Sequence, residues 1–142
     1  IFALGSDAKV NAFNLQTKKR LWQKDISIKK EKKSEGFGGG ITYDEGTIYS
    51  TSGFGNVIAI DAIDGSELWR VDLRIPIRSA PISYNNIVFA ITHDNQLFAI
   101  NNINGNIKFT MYSNTKHDSW TETYNNKNIY SWLLSHIRKR ED

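Results

Sequence analysis

The sequence predicts an all-β fold, a partial β-propeller of four-stranded antiparallel blades, on the strength of three observations. An alanine stands ten residues before an aromatic residue in three places: Ala12 and Trp22, Ala59 and Trp69, Ala99 and Phe109. A further aromatic residue precedes each alanine by ten residues, within an apolar run: Phe2, Tyr49 and Phe89. The copies are offset by 47 and then 40 residues, which is the length of a propeller blade.

Each copy contains short runs of alternating polarity separated by turn residues. In the middle copy the runs are "GGITYDEG", "TIYSTSG", "NVIAIDA" and "SELWRVDL". The turns between them contain residues that tolerate positive φ: Asp44–Gly46, Gly53–Asn56 and Ile63–Ser66, and in the last copy Asn85–Asn86, His93–Asn95 and Asn104–Asn106 with Gly105. The pattern predicts four antiparallel strands per repeat, with the alanine on the third strand and the aromatic residue of the fourth strand wedged between neighbouring blades.

The repeat spacing sets the predicted blade boundaries. We expect the propeller over residues 1–112, with an incomplete blade at 1–26 and whole blades at 40–73 and 79–112. The first offset is longer than the second, and the additional residues fall in the basic loop between Lys24 and Gly40. Two whole blades and part of a third leave blade faces uncovered, which predicts marginal stability or association.

The sequence after residue 112 shows no further blade in this interpretation. Apolar residues at Ile129, Trp132, Leu133 and Ile137 have helical spacing, and they predict a short C-terminal helix at 127–139. Two interpretations of residues 113–142 stay open, a packing element or the out-of-frame end of a decayed gene.

Composition narrows the classes of function. The chain has 142 residues, a net charge of +3 and no cysteine, which excludes disulfides and thiolate metal sites within it. Eight of its basic residues lie between Lys18 and Lys33, a run that we interpret as a solvated loop rather than a nucleic-acid or membrane patch. The chain begins inside a strand pattern without methionine, which indicates a fragment or a processed product.

No catalytic, cofactor-binding or metal-binding residue is predicted. "GFGGG" at 36–40 lacks the Lys-Ser/Thr of a phosphate loop, so it predicts close backbone packing at the entry to an inner strand. The three histidines, His93, His117 and His136, have no metal-ligand spacing. Asp61 and Asp64 are interpreted as turn residues, because the equivalent residues in the other repeats are uncharged.

The middle repeat resembles a known family. Ala59, Asp61, Asp64, Gly65 and Trp69 match the pattern A-x-D-x-x-[TD]-G-x-x-x-W of the propellers of the pyrroloquinoline-quinone (PQQ) type. The longer collinear run over residues 1–112, including "LRIPIRSAP" and "DNQLFAIN", is similar to the BamB family of outer-membrane protein assembly lipoproteins. The resemblance implies an eight-bladed scaffold without catalysis or cofactor at the periplasmic face of the bacterial outer membrane. It also implies a lipid anchor on a cysteine outside this chain and the periplasmic domains of BamA as main partner. From the charge distribution we expect no nucleic-acid partner.

The same resemblance points to the loop "RIPIRSAP" as a partner-binding site. Family members bind through inter-blade loops that carry a Leu-Arg type pair, and the matching residues here are Ile77 and Arg78. An exposed isoleucine beside an arginine suits a small interface hot spot. The alternative is that Ile77 packs into the next blade and Arg78 is merely solvated.

Two other functions share the repeat signature. One is a fragment of a PQQ-dependent dehydrogenase, which requires a calcium site with a catalytic aspartate. The other is a generic propeller interaction module of the cell envelope.

Overall fold

The computed structural model describes residues 1–27 and 39–110, and every regular element in them is a β-strand. Their chain order is β1 (Phe2–Leu4), β2 (Lys9–Phe13), β3 (Arg20–Asp25), β4 (Ile41–Asp44), β5 (Thr47–Thr51), β6 (Asn56–Asp61), β7 (Glu67–Asp72), β8 (Ile82–Tyr84), β9 (Ile87–Ile91), β10 (Leu97–Asn101) and β11 (Ile107–Thr110). These strands belong to one compact unit, Ile1–Thr110. The helix expected at 127–139 and the remainder of the tail lie outside the described residues.

The strands form three antiparallel sheets in chain order. The first sheet contains β1-β2-β3, the second contains β4-β5-β6-β7, and the third contains β8-β9-β10-β11. Each strand pairs with its neighbour in sequence, as hairpin connections of a few residues require. The all-β class and the four-stranded antiparallel unit predicted from the sequence are therefore confirmed.

The hairpin turns form where turn residues were expected. Positive φ angles occur at Gly46, Gly55, Gly65, Asn95 and Gly105, and the pair Asn85–Asn86 has φ angles of 50° and 62°. Two consecutive positive φ values at an Asn-Asn pair are typical of a type I′ hairpin turn. Turn chemistry therefore sets where each strand ends.

Two apolar clusters lie between the sheets. One joins Val10 of the first sheet to Ile48, Ile58 and Ile60 of the second. The other joins Tyr49, Val57 and Trp69 of the second sheet to Val88 and Ile100 of the third. Period-2 alternation directs successive side chains of β6 to opposite faces, so the second sheet contributes to both clusters.

Because successive strands run in opposite directions, the connections between them lie at two opposite ends of the sheets. The turn β5–β6, the linker 73–81 and the turn β9–β10 lie at one end, which we call the linker end. The turns β2–β3, β4–β5, β6–β7, β8–β9 and β10–β11 lie at the opposite end, which we call the turn end. Hydrogen bonds between neighbours at each end fit this division, from Leu73 N to Gly55 O at 2.9 Å and from Ala62 N to Gly46 O at 2.9 Å.

The last strand pair differs from its counterparts in register. A register shift follows Ala12 in the first sheet and Ala59 in the second, and it sets each alanine opposite the tryptophan of the next strand. In the third sheet Ala99 pairs with Lys108, and Phe109 pairs with Phe98. Phe109 therefore does not occupy the backbone position of Trp22 and Trp69, although its spacing in the sequence is the same.

Candidate partner-binding surface at the inter-sheet linker

The linker 73–81 connects the outer strand of the second sheet to the first strand of the third, and the second sheet holds its backbone. Ile77 N donates a hydrogen bond to Ser52 O at 3.3 Å. Thr51 Oγ1, which is buried, donates to Ser79 O at 2.6 Å, and Thr42 Oγ1 donates to Pro81 O. These bonds satisfy linker carbonyls in the protein interior, where an unpaired carbonyl would be costly.

The third sheet holds the linker from the other side. His93 N donates a hydrogen bond to Pro76 O at 2.7 Å, and Ile77 forms an isolated antiparallel bridge with Thr92. Within the described structure the linker is thus bonded to two sheets, so its side chains have a defined placement.

Glycines at the start of the second sheet allow the chain to approach the linker closely. A Cβ atom on Gly40 would lie 2.7 Å from the Cβ of Ala80, and one on Gly39 would lie 2.1 Å from Thr51 O. This contact fits the interpretation of the glycine run as a packing element rather than a phosphate loop. Residues 36–38 of that run lie outside the described residues.

The structure corrects the expectation of an exposed Ile77. Its side chain is 0% exposed and packs in the cluster that contains Val88 and Trp69. The bridge to Thr92 fixes the residue between the two sheets, and alternation along the extended linker then turns its side chain inward. Of the two interpretations of Ile77 left open by the sequence, packing into the next sheet is the correct one.

Arg78, the other predicted contact residue, is exposed. Arg74 is exposed on the same linker, with φ of 58° and its backbone N–H bonded to Asp72 Oδ1 at 2.9 Å. Among the described residues neither guanidinium forms an ion pair. A guanidinium on a rigid backbone offers a forked donor that suits a partner carboxylate.

The repeat residues fix how one sheet docks on the next. Trp22 Nε1 donates to Ala62 O at 3.1 Å, and Trp69 Nε1 donates to Asn102 O at 2.7 Å. Each indole covers a turn glycine of the following sheet, Gly65 beneath Trp22 and Gly105 beneath Trp69. The neighbouring sheet covers these residues wholly or in part, so we assign them a structural role.

A cluster of charges bridges the outer strands of the first two sheets. Glu67 accepts from Arg70 Nη2 at 2.8 Å and pairs with Lys24 Nζ at 3.3 Å. Arg70 Nη1 also donates to Ile26 O at 3.2 Å. The Arg70 hydrogen bond is the largest cause that lowers the pKa of Glu67, and Lys24 adds to it.

The aspartates of the repeat act as turn residues. Asp61 Oδ1 accepts from Ile63 N at 2.7 Å and Asp64 Oδ1 accepts from Ser66 N at 2.8 Å. The bond from Ser66 lowers the pKa of Asp64. Over residues 1–27 and 39–110 there is no group of three or more His, Asp or Glu side chains placed to hold a metal ion, and no helix suited to crossing a membrane.

Comparison with known proteins places these features in a family. Residues 6–128 match the family model described as outer membrane protein assembly factor BamB. Outer membrane protein assembly factor BamB of Yersinia pestis is 29% identical over 119 residues, which cover 81% of this chain and 30% of that protein. The chain spans 24% to 30% of the length of four of the curated relatives that it matches.

Solved structures show the same fold. The crystal structure of BamB from Moraxella catarrhalis has a TM-score of 0.62 at 20% identity, over 80% of this chain and 33% of that one. Quinohemoprotein alcohol dehydrogenase from Comamonas testosteroni has a TM-score of 0.65 at 22% identity, over 76% of this chain and 18% of that one. The structural likenesses therefore establish a β-propeller architecture, and the family model, which matches most of the sequence, establishes that the chain belongs to the BamB family.

Proposed function

We propose that the chain is a non-catalytic scaffold subunit of the machinery that assembles outer-membrane β-barrel proteins. Family membership supports this role, because relatives carry the name outer membrane protein assembly factor. We further propose that it acts at the periplasmic face of the outer membrane and that it binds the periplasmic domains of BamA.

The observation that carries the proposal is the rigid linker with an exposed guanidinium. Backbone and hydroxyl hydrogen bonds hold the linker on both sides, and Arg78 extends from it into solvent. Because Ile77 is buried, the contact depends on Arg78 and not on an exposed isoleucine-arginine pair. Ile77 contributes by holding the linker backbone in place.

The test is a binding titration of immobilised BamA periplasmic domains with the wild-type chain and with Arg78→Glu. We expect the charge reversal to weaken binding about tenfold or more, because a hydrogen-bonded charge pair is replaced by repulsion. Arg20→Glu, a charge reversal at another exposed arginine on β3 of the first sheet, is the matched control and should retain the wild-type affinity apart from a small loss of electrostatic attraction. Equal affinities for Arg78→Glu and Arg20→Glu, at unchanged melting temperature, would refute the role of the linker.

A quinone-dependent dehydrogenase is the second candidate, since such an enzyme is among the structural matches. At that level of identity the likeness concerns the fold alone. Spectroscopic titration of the chain with PQQ and Ca²⁺ separates the two functions. The scaffold proposal expects no saturable spectral change, and stoichiometric binding would favour the enzyme.

A further inference from the structure

A row of exposed aliphatic side chains follows the turn end of the three sheets. The turns that precede the outer strands carry Leu15 (68% exposed), Ile63 (85%) and Ile103 (79%). The outer strands add Leu21, Leu68 and Ile107 near the same corner. We call these six residues the aliphatic row. They make up half of the large exposed hydrophobic residues in the described part of the chain, although turns are normally polar.

The three turn residues of the row, Leu15, Ile63 and Ile103, form its tips. Hydrogen bonds from backbone N–H groups to Asn and Asp side chains hold these turns in fixed positions. Asp61 Oδ1 accepts from Ile63 N at 2.7 Å, and Asn101 Oδ1 accepts from Ile103 N at 3.0 Å. In the first sheet Asn14 Oδ1 accepts from Gln16 N at 2.9 Å, one residue after Leu15. The same side-chain geometry therefore presents an isoleucine in the second and third sheets, whereas in the first sheet it holds Gln16, and the exposed Leu15 stands one residue earlier.

The tryptophan contacts secure two of the tips to the neighbouring sheet. The indole of Trp22 donates to the carbonyl of Ala62, directly before Ile63, and that of Trp69 donates to the carbonyl of Asn102, directly before Ile103. A turn anchored on both flanks cannot withdraw its isoleucine from water by local rearrangement. The exposure of Ile63 and Ile103 is thus built into the docking of the sheets.

The shape of the row suits a lipid surface better than a protein partner. Stacked sheets lie about 10 Å apart, so the tips on different sheets project separately. A protein interface has a contiguous, well-packed apolar centre. A bilayer accepts each aliphatic side chain separately, while the polar neighbours stay at the level of the headgroups.

Charge near the first tip indicates the type of lipid. Lys18, Lys19 and Arg20 follow Leu15 and are all exposed; they begin the basic run that the sequence alone predicts to be merely solvated. Cations at this position attract anionic headgroups. Asp61 and Asp64 at the second tip oppose that attraction, so the aliphatic side chains should provide most of the affinity.

We propose that the aliphatic row is a surface that contacts the interface of an anionic bilayer. This contact is separate from the partner-binding linker, which lies at the opposite end of the sheets. It is also separate from the lipid anchor outside this chain that the family resemblance implies. The row would orient the sheets with their turn end toward the membrane.

The first test uses the absence of cysteine from the chain. Ile63→Cys carries an environment-sensitive nitrobenzoxadiazole probe, and the labelled full chain is mixed with phosphatidylethanolamine–phosphatidylglycerol vesicles. Ile82→Cys is the matched control, because Ile82 is 64% exposed but lies on β8 outside the row. We expect a blue shift and increased emission from the probe at 63 and no change at 82. Equal responses at the two sites, or none at either, would overturn the proposal.

The second test measures how much the row contributes to binding. Vesicle flotation gives the partition coefficient of wild type, of Ile63→Ser/Ile103→Ser and of Ile82→Ser/Ile91→Ser. We expect the first double variant to lose about tenfold or more and the second to match the wild type. Lys18→Glu/Lys19→Glu should lose a smaller factor that vanishes in uncharged phosphatidylcholine vesicles. Circular dichroism checks that both serine variants are folded. If both are folded and their partition coefficients are identical, the aliphatic row does not bind the bilayer.

Discussion

The two inter-sheet interfaces use the same tryptophan contact but differ in how completely they bury it and in the polar groups beside it. Trp69 is only 9% exposed and its ring centroid lies 5.9 Å from that of Tyr49, whereas Trp22 is half-buried beside Phe2. The buried hydroxyl of Thr51 reinforces the second interface. Partly exposed charges on Lys24, Glu67 and Arg70 reinforce the first. Because buried groups contribute more than solvated ones, residues with the same position in the repeat should differ in their effect on stability.

The largest difference is expected for the tryptophans themselves. Trp69→Ala should lower the free energy of unfolding by about 3–5 kcal/mol, because it removes a buried ring, its contact with Tyr49 and the hydrogen bond to Asn102. Trp22→Ala should cost less, since its ring is half-buried. Urea unfolding followed by circular dichroism measures both. Equal losses of unfolding free energy in the two variants would mean that the difference in burial does not affect the stability of the two interfaces.

The glycines beneath the indoles test the same contacts from the other side. A Cβ on Gly65 would lie 2.7 Å from Cδ2 of Trp22, and one on Gly105 would lie 3.2 Å from Cδ2 of Trp69. Both residues have positive φ, so alanine is strained at either site. We expect Gly65→Ala to cost about 3 kcal/mol in unfolding free energy and Gly105→Ala about 2 kcal/mol.

Gly46→Ala is the control for backbone strain alone. Its φ is +82° and a Cβ there would meet no atom within 4 Å, so about 1 kcal/mol is expected. The same urea titration is used. A Gly46→Ala cost as large as that of Gly65→Ala would show that the indole contact adds nothing.

Loss of the buried hydroxyl that holds the linker should have an intermediate effect. Thr51→Val keeps the shape of the side chain but leaves Ser79 O and Gly40 N without their partner, which costs about 2 kcal/mol in unfolding free energy. Thr17→Val on the exposed turn of the first sheet is the control, with a cost below about 0.5 kcal/mol. If Thr51→Val leaves the free energy of unfolding unchanged, the linker is held by its backbone hydrogen bonds and not by this hydroxyl.

The smallest effect concerns the charges of the first interface. The hydrogen bond from Arg70 lowers the pKa of Glu67 below its ordinary value of 4.5, so the stability it contributes is present above about pH 4.5 and lost as the pH falls through the lowered value. We expect Glu67→Gln to lower the free energy of unfolding at pH 7 by about 0.5 kcal/mol and to flatten the acid limb of the stability curve. Thermal melts between pH 7 and pH 3 measure this. Glu45→Gln, at an exposed turn, is the control. If Glu67→Gln and Glu45→Gln have the same acid limb, the Glu67 contacts do not contribute to the pH dependence of stability.

Local patterns were enough to predict the strands and turns. The spacing of Ala59 and Trp69 and the Asp-Gly turn between them depend on neighbours in the chain, and the second sheet forms over these residues. The burial of Ile77 could not be predicted in the same way. The run "IPIR" alternates regardless of which face is covered, and only the bridge to Thr92 in another sheet decides that.

The sequence contains two further signals. Ile63 and Ile103 occupy the same position in their repeats, and an aliphatic residue repeated within a polar turn indicates a surface feature. The triplet Tyr84-Asn85-Asn86 recurs 40 residues later as Tyr124-Asn125-Asn126, and the family match extends to residue 128. We therefore propose that the repeat in the sequence continues beyond the boundary predicted at residue 112.

By itself the sequence determined the all-β class, the repeat length and the placement of most turns, because each follows from alternation and from residues that adopt positive φ. Tertiary structure decided which aromatic residues are covered, which face of the linker points outward and how the last strand is registered. Those properties depend on contacts between sheets that are distant in the sequence, as Trp69 with Gly105 and Thr51 with Ser79 show. Similar repeats thus acquire different roles through the neighbour against which each one packs.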